Sequence, residues 1–239
     1  MIPKQAIIIG GGASIQDGIA LGLKEKLQNK FVVACNFACH HFTNTFTIFL
    51  DNKVWTGHLL GKDNPYIDTK HVEIIKQQKL LVASDRTKIK NPPANMIVLK
   101  KGNKYNREKS LTEGFYVGHF TGIFALTVVS FLMNYTGQIF ILGFDWTKQP
   151  KDGSIPITHY YKETEINHRG QHRVNNYNTM NPNDKFKYFL EPNLKIYNVS
   201  PNSNIKVFEK INYKTMFELL NNKVVNHNDI REEIKKLIK

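Results

Sequence analysis

The amino-acid sequence predicts an α/β fold built on a single doubly wound, mostly parallel β-sheet. Short, continuous apolar runs recur along the chain, and such runs are typical of strands buried on both faces of a parallel sheet. Segments with apolar residues at helical spacing alternate with these runs, as they do in β-α-β units. The length of 239 residues fits one domain, since domains run to roughly 100–200 residues.

The first strand, turn and helix form the clearest unit. An apolar run at residues 6–9 leads into Gly10, Gly11 and Gly12, and a helical pattern follows over residues 15–27. This order is typical of Rossmann-like nucleotide-binding units, in which glycines and helix N-terminal amides surround a phosphate. Gly10, Gly12 and Ser14 are therefore candidate ligand contacts. The alternative is a tight turn that needs small residues, and the sequence lacks the Lys-Ser/Thr pair of a Walker loop.

The remaining elements follow in chain order. The pattern predicts strands at 31–34, 47–50, 80–83, 96–99, 138–142 and 194–199, and helices at 72–78, 121–135, 186–190 and 228–239. The last helix is amphipathic, with Asn228 or Asp229 as its N-cap. We therefore divide the chain into a Rossmann-like domain at 1–225, with a polar, lid-like insertion at about 147–184, and a C-terminal helix at 226–239.

Polar residues and glycines follow several predicted strands. Ligands of such sheets bind beyond the carboxyl ends of the strands, so the sequence predicts that these residues gather on one rim. Asp145 could hydrogen-bond a nucleoside or cap a turn, and Trp146 could stack on a ring or fill the edge of the core. The candidates on the rim are Gly10 to Ser14, Asn36, Asp51, Asn52, Ser84, Gly143 to Trp146, and Ser200 to Ser203.

The polar insertion is dense in residues that move protons or bind phosphate. His159 and His168 can exchange a proton near neutral pH, Arg169 can bind a phosphate, and Tyr160 can donate a hydrogen bond to a leaving group. Long polar segments after a central strand often carry catalytic residues. The alternative is a solvated loop whose histidines have no role.

The sequence gives no sign of a metal site. It contains no Asp-x-Asp pair and no spaced Cys/His pattern, so we expect neither a metal nor another cofactor. Cys35 and Cys39 are interpreted as small buried thiols. Two cysteines, the lack of a signal-peptide pattern and the lack of an apolar stretch of membrane-spanning length lead us to expect a cytoplasmic protein.

The chain is strongly basic, with 33 Lys and Arg against 20 Asp and Glu and a formal charge of +13. Residues 76–109 contain ten Lys or Arg and two Asp or Glu. This excess favours an anionic partner, such as nucleic acid or an acidic glycan. The alternative is a solvated, lysine-rich surface.

Six short motifs occur in an order that resembles a known family. They are IIIGGGASI at 7–15, ACNF at 34–37, IFLDN at 48–52, FTGIFAL at 120–126, IFILGFDW at 139–146 and KIYNVSPNS at 195–203. This succession, which spans roughly residues 5–210, resembles the sialyltransferases of glycosyltransferase family 42 and the related MptE-like proteins, including small phage homologues.

The resemblance implies a single α/β domain that binds a cytidine nucleotide sugar without metal. It implies a lid histidine as the general base, His168 before His159, with lid tyrosines near the leaving phosphate. The other implied contacts are Gly10, Gly12 and Ser14 at the phosphate or ribose, Asn36 with Asp51 or Asn52 at the ribose or donor sugar, Thr121 and Gly122 at the donor carboxylate, and Gly143 and Asp145 at the base.

Together, the residues and the resemblance predict a metal-independent glycosyltransferase that moves a sugar from a nucleotide sugar to a hydroxyl group of a glycan or a modified nucleic acid. Two alternatives stay open. One is ATP-dependent pyrophosphate transfer of the MptE-like kind, and the other is a non-enzymatic nucleic-acid-binding protein. The donor sugar, the acceptor and the oligomeric state are left open by the sequence.

Overall fold

A computed structural model of the chain describes residues 1–57, 69–102, 114–116, 118, 120–146 and 181–237. The strands in these ranges are β1 (Gln5–Ile9), β2 (Val32–Cys35), β3 (Phe46–Phe49), β4 (Leu81–Ser84), β5 (Met96–Leu99), β6 (Lys101–Gly102), β7 (Phe115–Tyr116), β8 (Gly137–Leu142), β9 (Leu194–Asn198) and β10 (Glu209–Lys210). The helices are α1 (Ile15–Ala20), α2 (Leu23–Leu27), α3 (Asn52–Thr56), α4 (Thr69–Lys76), α5 (Thr121–Leu132), α6 (Asn183–Phe186), α7 (Tyr213–Leu219) and α8 (His227–Leu237).

Eight strands form one central sheet in the order β10-β9-β8-β1-β2-β3-β4-β5, and every neighbouring pair is parallel. This arrangement confirms the predicted α/β, Rossmann-like fold. The chain moves outward from β1 to β5, returns to place β8 beside β1, and then continues to β9 and β10. The direction of travel therefore reverses between β1 and β8, which is where ligands bind in sheets of this type.

Both faces of the sheet are buried. Successive strand residues point to opposite faces, so Ile8 packs with α5 and α8 in one core, while Ile7 and Ile9 pack with α1, α2, α4 and α7 in the other. All five residues of β1 are buried, as are all four of β2, β3 and β4. This double burial explains why the strands are continuous apolar runs in the sequence instead of alternating patterns.

The helix predicted at 15–27 is two helices. Gly22 separates α1 from α2 and takes a left-handed conformation with φ of +80°, which a glycine adopts without steric cost. The apolar spacing continues across this break, because Ile15, Leu23 and Leu27 all pack in the same core. The helix predicted at 121–135 ends earlier, at Leu132, with Asn134 and Tyr135 in the left-handed region.

The N-cap prediction for the last helix was wrong. α8 begins at His227, and the side-chain oxygen of Asn226 accepts hydrogen bonds from the backbone amides of Asn228 and Asp229 at 3.0 and 3.4 Å. Asn226 is thus the N-cap, and the helix begins earlier than predicted, with the backbone amides of Asn228 and Asp229 inside its first turn.

The short elements α3, α7 and β10 were not predicted. For α7 a signal was present in the sequence. Tyr213, Met216, Phe217 and Leu220 have helical spacing, and the Asn212 side chain accepts a bond from the Thr215 amide at 2.9 Å as an N-cap.

Within the described ranges, no helix has both the length and the apolar character that crossing a bilayer requires. Residues 147–180, which make up most of the predicted lid-like insertion, lie outside the described residues. The division into 1–225 and 226–239 stays a prediction, although Ile230 and Ile234 of α8 are part of the main core.

Polar contacts attach α8 to the loops that lead into the sheet. Arg231 donates from Nε to the Thr45 carbonyl at 2.6 Å and from Nη2 to the Asn44 carbonyl at 2.8 Å. The ring nitrogens of His227 contact the Thr45 hydroxyl at 2.9 Å and the Gln28 carbonyl at 3.2 Å. These contacts fix the helix over the amino-terminal edge of the sheet.

We expect Arg231→Ala to lower the free energy of unfolding by about 2 kcal/mol, because it leaves two partly buried carbonyls without their charged donor. Lys235→Ala is the control, since the Lys235–Glu232 pair lies on the helix surface and should contribute below about 0.5 kcal/mol. Urea unfolding measures both. Equal effects of the two substitutions would contradict this assignment.

Candidate functional site

The loops that follow β1 and β8 meet at the carboxyl edge of the sheet, where the strand order reverses. We call this place the crevice, because sheets of this topology bind ligands there, and we call the two loops its floor. The Gly10 amide donates to the Leu142 carbonyl at 2.8 Å, and the Gly12 amide donates to the Gly143 carbonyl at 2.9 Å. The two loops are therefore joined backbone to backbone at the point where the strand order reverses.

Glycine is required where the loops touch. A Cβ atom on Gly12 would lie 2.5 Å from the Asp145 carboxylate, and one on Gly10 would lie 2.8 Å from the Gly143 carbonyl oxygen. Gly143 has φ of +67°, and its Cβ would lie 2.6 Å from Ile15. The tight turn that needs small residues therefore has a physical basis here, while contact of this loop with a phosphate stays a prediction.

Asp145 connects the second loop to the first turn of α1. Its carboxylate accepts a hydrogen bond from the Ser14 amide at 2.9 Å and another, shorter one from the Ser14 hydroxyl. The same hydroxyl lies 2.9 Å from the hydroxyl of Ser200, in the loop after β9. Asp145 thus caps α1 from across the crevice. Its predicted contact with a nucleotide base stays a prediction.

These contacts decide which amides of the glycine loop remain for a ligand. The amides of Gly10, Gly12 and Ser14 donate to acceptors within the protein. In the described part of the chain, the amides of Gly11 and Ala13 have no such acceptor. An anion on this loop would therefore meet those two amides first.

Tyr213 is a member of this cluster that the sequence reasoning missed. It lies at the start of α7 and is 4% exposed. Its ring packs on Gly18, where a Cβ atom would lie 2.5 Å from the ring. Burial raises the pKa of the Tyr213 hydroxyl, and the nearby carboxylates of Asp145 and Asp17 raise it further. The phenol therefore stays protonated beside Asp145.

A second group of candidates lies at the N-terminus of α5. The Thr121 hydroxyl donates to the side-chain oxygen of Asn36 at 3.3 Å, and Asn36 has φ of +52°. A Cβ atom on Gly122 would lie 2.5 Å from the ring of Phe144, so α5 packs closely on the β8 loop. The structure therefore brings Asn36, Thr121 and Gly122 next to the crevice.

Asp51 and Asn52 lie further along the same edge. They follow β3, which is two strand spacings, or about 10 Å, from β1. The side-chain amide of Asn52 donates to the Thr87 carbonyl at 2.6 Å, and its oxygen accepts from the Thr56 hydroxyl at 2.8 Å. Asn52 thus connects α3 to the turn after β4, while Asp51 precedes the first residue of α3.

Trp146 lies in an aromatic cluster. Its ring is 4.6 Å from the ring of Phe120 and 5.9 Å from that of Phe186, both edge to face. Its backbone has φ of +46°. Of the two interpretations offered for this residue, packing at the edge of the core is the one with contacts in the structure.

A histidine cluster follows β2. The rings of His40 and His71 stack with centroids 5.0 Å apart and planes 5° apart, and Phe37 meets both edge to face. Burial and, to a smaller extent, the neighbouring His71 and His41 lower the pKa of His40 to about 4, against a backbone hydrogen bond with His71 that raises it. His40 is therefore neutral at physiological pH.

The two cysteines lie in the cores on either side of β2. Burial raises the pKa of both thiols, that of Cys39 to about 12. Neither is a thiolate nucleophile at neutral pH, and this agrees with their interpretation as small buried thiols.

Four predicted catalytic residues, His159, Tyr160, His168 and Arg169, lie outside the described residues. Their roles stay predictions. Among the residues that the structure describes, no group of three or more His, Cys, Asp or Glu side chains is placed to hold a metal ion.

No known family model matches the sequence, and no curated protein matches it at a significant level.

We expect Asp145→Ala to lower the free energy of unfolding by about 2–3 kcal/mol, because it removes both acceptors of Ser14. Ser14→Ala keeps the amide contact and should cost about 1 kcal/mol. Ser200→Ala is the control, since it leaves the Ser14–Asp145 contact intact and should cost no more than Ser14→Ala. Chemical denaturation compares the three. An Asp145→Ala variant as stable as the wild type would show that this contact does not hold the loops.

We expect the protein to lose stability as the pH falls below about 6.5. The unfolded chain binds a proton on His40 from that pH downward, whereas the folded state resists protonation until about pH 4. His40→Gln should reduce the loss of unfolding free energy between pH 6.5 and 4 by about 1–2 kcal/mol. This is less than the full pKa shift of His40 implies, because the ring is partly solvent-exposed. Thermal unfolding at a series of pH values measures this. An unchanged pH profile would contradict the assignment.

Proposed function

We propose that the chain is a metal-independent glycosyltransferase that moves a sugar from a nucleotide sugar to an acceptor hydroxyl. The observation that carries the proposal is the crevice between β1 and β8, where the strand order reverses and a glycine loop meets a second loop. Sheets of this topology bind nucleotides at that place. The transfer reaction itself rests on the succession of motifs that resembles glycosyltransferase family 42.

The donor would lie across the two groups of residues at the rim. Its phosphates would meet the amides of Gly11 and Ala13, which have no acceptor among the described residues. The sugar would extend toward Asn36 and the N-terminus of α5, where Thr121 lies. This placement keeps the Ser14–Asp145 contact, so the floor of the site would not have to rearrange on binding.

The reaction would be an in-line displacement. A histidine of residues 147–180, His168 first and His159 second, takes the proton from the acceptor hydroxyl. The acceptor oxygen forms a bond to the anomeric carbon, and the bond from that carbon to the phosphate oxygen breaks. The nucleotide leaves with that electron pair, and its charge would be stabilised by Arg169, by Tyr160 and by the loop amides.

The experiment is a thermal-shift panel of CMP, UDP, GDP, ATP and their sugar derivatives, each with and without EDTA. A ligand at one hundred times its Kd stabilises the folded state by about 2.7 kcal/mol, which is an easily measured shift. We expect a nucleotide sugar to bind equally well in EDTA. Binding of ATP that requires Mg²⁺ would instead favour pyrophosphate transfer, and no shift with any compound would contradict both reactions.

In the same assay, His168→Ala is expected to leave nucleotide-sugar binding within a few-fold of the wild type while abolishing transfer. His159→Ala is the matched comparison and should keep more of the activity. Transfer at the wild-type rate in His168→Ala would show that another group is the base.

A further inference from the structure

Five basic side chains lie on the chain segments that follow β4 and β5, and we name this set the basic edge. They are Arg86, Lys88, Lys90, Lys100 and Lys101, and all five residues are exposed. Because β4 and β5 are parallel neighbours at the end of the sheet, both loops leave the same carboxyl edge. The Lys101 backbone amide donates to the Asp85 carboxylate, so the turn that carries Arg86 and Lys88 lies beside the segment that carries Lys100 and Lys101.

The charges of the basic edge have no partners among the residues that the structure describes. In the described ranges, none of the five side chains forms an ion pair or a side-chain hydrogen bond. The carboxylate in this stretch, Asp85, accepts from the Lys101 backbone amide at 2.9 Å and from the Ser84 hydroxyl at 3.3 Å. Asp85 is thus engaged with a backbone amide and a hydroxyl, and within the described ranges it forms no ion pair with the five cations.

Lysines near the amino-terminal edge of the sheet, in contrast, form hydrogen bonds within the protein. Lys4 donates to the Met133 carbonyl at 3.3 Å and to the Thr136 hydroxyl, and Lys30 donates to the Lys223 carbonyl at 3.1 Å and to the Asn221 carbonyl. These ammonium groups hold loops together. The side chains of the basic edge form no such hydrogen bonds in the described ranges, so loop attachment does not explain why they are there.

We propose that the basic edge binds the phosphate backbone of double-stranded nucleic acid. Unpaired Lys and Arg side chains on one surface can neutralise the phosphate charges of a duplex. Single-strand binding would also need aromatic platforms, and the described residues 84–102 contain no Phe, Tyr or Trp. The contact is therefore one of charge with the backbone, without base stacking and without sequence readout.

The basic edge and the crevice lie on the same edge of the sheet. β4 and β5 are three and four strand spacings from β1, which is about 14–19 Å along the same edge of the sheet. That length corresponds to about four to six base pairs of duplex. A duplex bound there extends within reach of the crevice. Binding itself does not depend on the reaction proposed above, and the test is made without any nucleotide.

The experiment measures binding of the full chain to a fluorescently labelled duplex of about 20 base pairs by anisotropy, over a range of salt concentrations. If five cations contact phosphates, the plot of log affinity against log salt has a slope of about −4 to −5. The triple variant Arg86→Gln/Lys90→Gln/Lys101→Gln should weaken binding at low salt by at least tenfold and reduce the slope by about 3.

The matched control is Lys24→Gln/Lys79→Gln/Lys223→Gln. It removes the same charge from exposed residues near the amino-terminal edge of the sheet. It should change affinity by less than threefold. Equal losses in the two variants would overturn the proposal, since binding would then follow net charge alone. Tighter binding of single strands or of a sulfated glycan than of the duplex would also overturn it. Melting curves confirm that both variants fold.

Discussion

The close approach of two loops, at the place where the strand order reverses, is the constraint on which the site depends. Gly10, Gly12 and Gly143 admit no Cβ atom there, and two backbone hydrogen bonds join the loops directly. Asp145 can reach Ser14 because Gly12 leaves room for its carboxylate. That contact sets the direction in which α1 leaves the sheet. Replacement of any of these glycines by a larger residue would separate the loops and would also displace the helix.

The sheet could be predicted from the sequence because its central strands β1 to β4 are buried on both faces. A strand in that position must be apolar at every residue, and a continuous run is visible without knowledge of its neighbours. Each predicted strand is present, with ends displaced by at most one residue. The gathering of polar residues on one rim followed from the same argument, since parallel strands place their carboxyl ends together. The order of the strands was not predicted, because the sequence pattern does not show which strands pair.

The partners within the site could not be predicted in this way. From the sequence, Asp145 could bind a nucleoside or cap a turn. Its contact with Ser14, 131 residues away, depends on the packing of β8 against β1. Tyr213 is on a helix that follows a two-residue strand, and its approach to Gly18 depends on how α7 lies over α1. Local breaks were also hidden, since the apolar spacing of residues 15–27 continues through the left-handed Gly22. In each case the deciding contact is tertiary, and a local sequence pattern does not show it.

The site as described is a floor whose polar groups mostly satisfy one another. The Gly10, Gly12 and Ser14 amides, the Asp145 carboxylate and the Asn52 amide are all engaged within the protein. Such a floor can hold a ligand in a fixed orientation, because its own bonds keep it from adapting. Groups engaged in this way are poor proton carriers, and His40, the described histidine nearest to β2, is held neutral by burial. In the reaction proposed above, the proton would then be taken by a segment outside the floor. The segment richest in histidine and arginine is the one that follows Trp146, so the proposal places binding and chemistry in different stretches of the chain.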